Sequence, residues 1–566
     1  MSMSASLIDI DDLVGRHVAD LREAAEAAYA RTFHSRYSER PTDPAYGEDP
    51  FGEGQAAFDA TLERGLALDQ PGTGGRVAGE VSPYGLDLSI SYPAVEPSAL
   101  LDAASDALPA WRAAGPDVRA ALCVEMLDRL GARAHELGLA VHHTSGQPRV
   151  MAFQAGGPHA LDRGLEAVTY AHAAMTRHAS HARWEKPGKR PTVLDKTFHV
   201  APRGVAVAIG CRTFPTWNGL PGIMASLATG NPIVVKPHPS TILPLALVVE
   251  VAQGVLTEAG FSPHVVTLAA EAPDTGIAKD LVTDPRVKVV DFTGSTAFGE
   301  WLEVNASQAR VYTEKAGVNS IVLDGTDHAE GMFDNLAFSL SLYSGQMCTT
   351  PQAIFLPRDG IDTDEGHLTF EEVGERVAGA LGKLLEPAEK GVEVLGAIGD
   401  TSIVERLDEV ASLGEVVARS EAVEHPAAPE AVVRTPLVLA VDAADTEAYD
   451  TERFGPIAFL VGTASTDHSL ELVRDLVQRR GAITFGVHTR EDKVRTQATE
   501  VALDAGVSVS FDLTRNVFVN QTSAFSDFHA TGANPAANAS LVDEAFVVGR
   551  FHLVETRMHA PVEDGD

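Results

Sequence analysis

The sequence predicts an α/β protein with two domains, each built on a parallel sheet, and three observations carry that prediction. The chain has 566 residues, too many for one hydrophobic core. From Gly204 onward, short apolar runs bounded by turn residues alternate with helical segments. A second series of the same kind begins at Asn319. Buried parallel strands read as continuous apolar runs, and each needs a crossover before the next.

In order, residues 12–35 have the spacing of an amphipathic helix and are followed by a Pro/Gly-rich stretch from Pro41 to Gly54. We read residues 1–80 as an N-terminal helical extension. Helical periodicity recurs over 98–114, 116–137 and 159–175. The first strand series is 205–209, 232–235, 264–268 and 287–292, with a helix expected over 243–259. Its βαβ order has nucleotide-binding character. The second comprises 319–323, 352–356, 437–441, 458–461, 482–487 and 507–511, and residues 420–433 read as a loop or surface insertion.

Composition excludes several classes. Apolar residues make up 45% of the chain and charged ones 22%, so a folded core is expected rather than disorder. No apolar run reaches the length of a membrane helix, and residues 1–20 lack the pattern of a secretory signal; a cytosolic protein is expected. The three cysteines, Cys123, Cys211 and Cys348, form neither a disulfide framework nor a Cys-x-x-Cys metal motif, so no metal is expected. A net charge of −35 argues against a nucleic-acid partner, and the modest basic cluster at 186–196 reads as a solvated loop.

Five short motifs can carry chemistry. Ser344-Gly345-Gln346-Met347-Cys348 places a thiol in a small-residue turn before a strand; a reachable, ionisable cysteine is a strong nucleophile. Taken alone, a cysteine is more often a buried apolar residue. Glu314 precedes an apolar strand and suits a general base if burial raises its pKa; its plainer reading is a surface carboxylate paired with Lys315. Phe292-Thr293-Gly294-Ser295-Thr296, with Gly299, forms a strand-to-helix turn whose free N–H groups would face a phosphate. Lys236 ends a buried strand, at the edge where ligands of open α/β sheets bind. Glu452-Arg453-Phe454-Gly455-Pro456 sets a carboxylate and an aromatic ring before a turn. Each motif alone is modest.

Together and in this order, the motifs resemble the aldehyde dehydrogenase superfamily from about residue 80 to 555. The wording of 211–218 and 345–351 is similar to its phenylacetic acid degradation (PaaN-like) branch. The resemblance implies an aldehyde dehydrogenase-like fold with a Rossmann-type NAD(P)-binding domain over 81–310, a catalytic domain over 311–510, and a C-terminal return over 511–566. A small β oligomerisation arm would take its hairpin from near 183–200 and make a homodimer or homotetramer.

By the same resemblance Cys348 is the nucleophile and Glu314 activates the deacylating water. Lys236 and His238 hold the adenosine side of NADP or NAD, Gly294, Ser295 and Gly299 lie near the pyrophosphate, and Glu452 with Phe454 holds the nicotinamide ribose. The partner is a small aldehyde, possibly CoA-linked. Two positions depart from the family pattern. Thr213 stands where an oxyanion asparagine is usual, with Asn218 close by as a substitute, and Pro239 stands where many NAD-preferring members carry a glutamate, which predicts tolerance of NADP. Three other readings remain open: a CoA-acylating dehydrogenase, a non-catalytic scaffold of the same fold, and a cysteine hydrolase. Against the last, no motif places a histidine as base.

Overall fold

The computed structural model describes residues 8–273, 275–518, 529–541 and 543–560. Helix α1 (Ile10–Ala30) starts at Asp9, whose carboxylate accepts the N–H groups of Asp11 and Asp12; such a cap is worth about 1 kcal/mol. Arg31, in the left-handed conformation, ends it four residues before the expected boundary. The Pro/Gly-rich stretch holds a helix that periodicity did not show, α2 (Pro50–Arg64), which begins at the Asp49 cap with proline in its first turn. The pattern expected over 116–137 splits after Gly131 into α3 (Gly115–Gly131) and Ala134–Ser145. Leu13, Leu21, Ala24 and Ala28 of α1 join one apolar core with α3 and α4 (Pro158–Thr176). Arg36, bonded to both Asp20 and Asp128, ties α1 to α3.

An exposed hairpin, β1 (His181–Lys186) and β2 (Thr192–Pro202), then leads into the first sheet. That sheet comprises β3 (Val205–Ile209), β4 (Ile233–Lys236), β5 (Val266–Leu268), β6 (Val287–Thr293) and β7 (Arg310–Glu314), all parallel, in the order β5-β4-β3-β6-β7. Strand order reverses at β3, so a crevice opens beyond the carboxyl ends of β3 and β6, where such sheets bind ligands. The crossovers α5 (Pro215–Ala228) and α6 (Leu243–Glu258) are buried along most of their lengths, which explains their nearly unbroken apolar sequence.

The second sheet is larger. Its strands are β8 (Ser320–Leu323), β9 (Ala353–Pro357), β10 (Glu415–Ala418), β11 (Leu437–Asp442), β12 (Ile457–Thr463), β13 (Thr484–His488) and β14 (Ser508–Phe511), in the order β10-β11-β12-β9-β8-β13-β14. Only the β10–β11 pair is antiparallel. Strand β10 was not expected from sequence, and it sits at the sheet edge with two of its four residues exposed. Residues 420–433 are turns and irregular chain, as read from composition. Near the end of the chain, β15 (Phe551–His559) returns to pair antiparallel with β2, making an exposed three-stranded arm with β1.

Candidate active site

The turn that carries Cys348 is fixed by its neighbours rather than by its own preferences. Helix α8 (Ala329–Ser341; α7 is Thr296–Asn305) gives way to three successive residues with positive φ: Tyr343 at 54°, Ser344 at 49° and Gly345 at 64°. Two of them are not glycine, and each costs on the order of 1 kcal/mol. The Tyr343 hydroxyl donates to the Ser145 carbonyl at 2.6 Å, and the Ser344 hydroxyl to the Arg434 carbonyl at 3.1 Å. A Cβ on Gly345 would lie 2.3 Å from the Gly455 carbonyl oxygen, so the Gly-Gln-x-Cys and Phe-Gly-Pro motifs interlock. Asn319 donates to the Cys348 and Thr350 carbonyls and accepts the N–H groups of Ile483 and Thr484. One amide therefore fastens the cysteine turn to two strands of the second sheet. Sequence reading missed Asn319 because an asparagine opening a strand carries no distinguishing pattern.

Glu314 ends β7, in register with Thr293 of β6, and its carbonyl accepts the Gly294 N–H. The expected surface pairing with Lys315 is overturned: Glu314 is 1% exposed, and Lys315 instead pairs with Glu303. Burial pushes the Glu314 carboxyl up, but His529 and the Arg163 guanidinium outweigh it, and the group stands below the usual carboxylate range. The raised pKa that sequence suggested is therefore corrected: the Glu314 carboxyl is lowered. Its Oε1 accepts from Asn218 at 3.4 Å, while Oε2 is buried with no partner among the described residues.

His529 completes the cluster. Its Nε2 lies 3.2 Å from Glu314 Oε1 and 3.7 Å from Cys348 Sγ, and its ring meets Trp217 edge to face. No motif places this histidine; the fold brings it beside the cysteine. The residue is 181 positions from Cys348 and belongs to none of the five motifs, so chain folding alone brings it in. Burial, then the charge of Glu314, pushes the Cys348 thiol well above its ordinary range. Burial likewise raises Cys211 and Cys123 to about 12.

Cys348 borders two cavities. One, of about 590 Å³, runs from the carboxyl ends of β3 and β6 to the cysteine and is lined by Lys236, His238, Gly294, Ser295, Glu314 and Glu452, with Phe454 beside them. Ser295 opens α7 without capping it by its own side chain, which leaves first-turn N–H groups for an anion. Gly299 serves packing: a Cβ there would meet the Lys315 stem at 2.5 Å. Burial raises the Glu452 carboxyl to about 7, with Arg406 opposing the shift. Burial lowers His238 to about 4, so its imidazole is neutral at pH 7. Lys236 is ion-paired with Glu271, which lies just beyond β5.

The other cavity, of about 270 Å³, is walled by Met151, Phe214, Trp217, Phe338, Met347 and Phe518, with His529 and Cys348 at its inner end. Thr213 lines the first cavity. Its carbonyl accepts from Gln147, and among the described residues no hydrogen bond joins its hydroxyl to Cys348. Asn218 faces Glu314, so the substitute considered from sequence is engaged by the base.

A thiol, a buried carboxylate and a groove at the carboxyl edge of a parallel sheet converge in this fold. Residues 93–514 match the model of the aldehyde dehydrogenase family, and the chain belongs to that family. A crystal structure of an NAD-dependent aldehyde dehydrogenase from Burkholderia multivorans is 49% identical and superposes with a TM-score of 0.96, over 97% of this chain and 99% of that one. A 1-pyrroline-5-carboxylate dehydrogenase of Halalkalibacterium halodurans is 24% identical over 73% of this chain and 76% of its own length. The aldehyde dehydrogenase LUC3 of a Fusarium species is 28% identical over 46% of this chain. The chain spans about half the length of that protein and of other curated relatives it matches, 52% to 55%. Among the described residues, no helix is long and apolar enough to cross a membrane.

Proposed function

We propose that the protein oxidises an aldehyde to a carboxylic acid through a thiohemiacetal and then a thioester on Cys348, with NAD as hydride acceptor. The observation that carries this reading is the position of Cys348 on the walls of two cavities, one mainly aromatic and one that holds Glu314 and the carboxyl edge of the first sheet. The aldehyde enters from the apolar side. The sulfur adds to its carbon, and backbone N–H groups of the cysteine turn stand nearest the oxyanion. A nicotinamide held in the groove by Glu452 and Phe454 would supply the hydride acceptor. Glu314, ionised and with one oxygen unpartnered, then takes a proton from the water that cleaves the thioester.

The groove residues fit the dinucleotide. Gly294 and Ser295 stand at a helix N-terminus suited to pyrophosphate, and Glu452 is a half-buried carboxylate that ribose hydroxyls would satisfy. Lys236 and His238 serve the adenosine end. The expected NADP tolerance, argued from Pro239, is countered by Glu271. Its carboxylate pairs with Lys236 and so competes for the ammonium that a 2′-phosphate would use. The Burkholderia relative is itself described as NAD-dependent.

For the substrate we infer an apolar or aromatic aldehyde, on the aromatic walls of the smaller cavity. The finer reading is a semialdehyde released by opening of the phenylacetyl-CoA ring, supported by the wording of 211–218 and 345–351. The exposed arm of β1, β2 and β15, with Trp184, Leu553, Val554 and Met558 on its surface, suits a dimer or tetramer contact. NAD(P)H formation against aliphatic, aromatic and CoA-linked aldehydes, with and without free CoA, tests the proposal. Turnover without CoA on apolar aldehydes is expected; strict dependence on CoA would favour the acylating reaction, and no turnover the scaffold.

A further inference from the structure

We propose that Cys348, His529 and Glu314 form a binding site for a zinc-like divalent cation, which stops the reaction by occupying the sulfur. Binding stands on the geometry of the cluster; the loss of activity rests on the reading of Cys348 as the nucleophile.

The thiol, imidazole and carboxylate ligand atoms all lie within 4.8 Å of one another. His529 Nε2 is 3.7 Å from Cys348 Sγ and 3.2 Å from Glu314 Oε1. A tetrahedral zinc ion with ordinary bond lengths holds thiolate and imidazole ligand atoms about 3.6 Å apart, and imidazole and carboxylate atoms about 3.3 Å apart. Two edges of the cluster therefore already have the lengths that the ion requires. The three residues come from the end of β7, the cysteine turn and the chain after β14, so no short ligand spacing marks the site in the sequence.

A second observation points the same way. Glu314 is 1% exposed, and its Oε2 has no hydrogen-bond partner among the described residues. A buried carboxylate oxygen without a donor is costly and calls for a water or an ion. During turnover the deacylating water meets that need; a cation meets it equally well.

Charge and chemistry select the ion. A carboxylate and a thiolate together balance a dication, which removes the repulsion between them. Burial and the Glu314 charge keep the metal-free thiol protonated, so the ion has to displace that proton. The S–H bond breaks, the proton leaves to solvent, and the sulfur pair forms the bond to the metal. The imidazole ligates through the Nε2 lone pair with its ring hydrogen on Nδ1, and its hydrogen bond to Oε1 is exchanged for bonds to the ion. Of the surrounding charges, Arg163 opposes a dication and Glu452 favours it. One sulfur, one imidazole and one carboxylate suit Zn²⁺ or Co²⁺, whereas Mg²⁺ and Ca²⁺ require more oxygen ligands. Cys348 borders both cavities, which leaves the fourth position to water. A sulfur pair held in a metal bond cannot capture a carbonyl carbon.

The test is titration of the full-length, chelator-treated protein with Co²⁺ and then Zn²⁺, followed by absorption and by NADH formation. About one Co²⁺ per chain should bind with a thiolate-to-metal charge-transfer band and the intense visible bands of tetrahedral coordination. Zn²⁺ should displace it, abolish turnover in the same titration, and release it again to a chelator; Mg²⁺ should do none of this. Cys348→Ala should lack the band, and His529→Gln should bind Zn²⁺ about 10²-fold more weakly, with retained NAD binding marking folded variants. Should His529→Gln misfold, wild type and Cys348→Ala decide alone. No charge-transfer band in wild type, a band that persists in Cys348→Ala, or Zn²⁺ bound at this site without loss of turnover would overturn the proposal. Failure of the underlying reading looks different, as a Cys348→Ala protein that still oxidises aldehyde.

Discussion

On one side of Cys348 the wall sets Lys236, Gly294, Ser295, Glu314 and Glu452 among apolar side chains, drawn from strand ends of the first sheet and from loops of the second; on the other, aromatic and apolar side chains predominate, with Gln154, His159, Glu393 and Asn516 among them. The groove is assembled by topology. Where strand order reverses, Gly210 follows β3 and Gly294 follows β6, the latter directly before the N-terminus of α7. The apolar cavity has no such template. Met151, Trp217, Phe338, Met347 and Phe518 come there from the helix Arg149–Gly156, α5, α8, the cysteine turn and the chain after β14. The difference teaches that cofactor binding is encoded locally and substrate choice globally.

Removing the sulfur separates the two sides most sharply. Cys348→Ala should lose turnover by about 10⁴-fold or more while titrating with NAD as wild type does; calorimetry and a steady-state assay read both. Cofactor binding lost together with activity would show the two cavities to be one coupled unit. A smaller effect is expected at the groove's far end. Glu271→Gln removes the charge beside Lys236 and should raise the ratio of kcat/KM for NADP over NAD by roughly tenfold, leaving KM for aldehyde unchanged. An unaltered ratio would place the ribose elsewhere.

The smallest effect concerns pH. The Glu452 carboxyl is raised to about 7 in the free protein. Its ionised form is the better acceptor for ribose hydroxyls. Affinity for NAD should therefore be full above about pH 7.5 and fall a few-fold as pH drops through 7 toward 6. Glu452→Gln should bind NAD more weakly at pH 8 and with a flatter profile. A profile unchanged by the substitution would remove Glu452 from the ribose site.

How much of this was legible in the sequence follows the same division. Strands β3 and β4 are apolar runs ended by Gly210 and Lys236, and β6, apolar apart from Lys288, Asp291 and its final Thr293, ends at Gly294, so both the sheet and its ligand edge could be read directly. Cys348 and Glu314 were visible as motif residues, although Glu314 gained its low pKa from Arg163 and His529, which lie far away in the chain. The edge strand β10 is half exposed and short, and nothing in its pattern separates it from loop. His529 was invisible for a simple reason: a histidine acquires a role from what stands within 4 Å of it, and no spacing encodes a neighbour 181 positions away. Helix α2 was hidden by its own Pro50 and Gly52, which composition reads as loop and the Asp49 cap turns into a helix start.

The central claim is covalent capture at Cys348 followed by release through Glu314, and one measurement addresses both. Glu314→Gln protein mixed with aldehyde and NAD should form about one NADH per site in a burst and then stall. Intact and peptide mass spectrometry should find the acyl group on Cys348. Continuous turnover at the wild-type rate, or a burst with no acyl mass on that cysteine, would contradict the account.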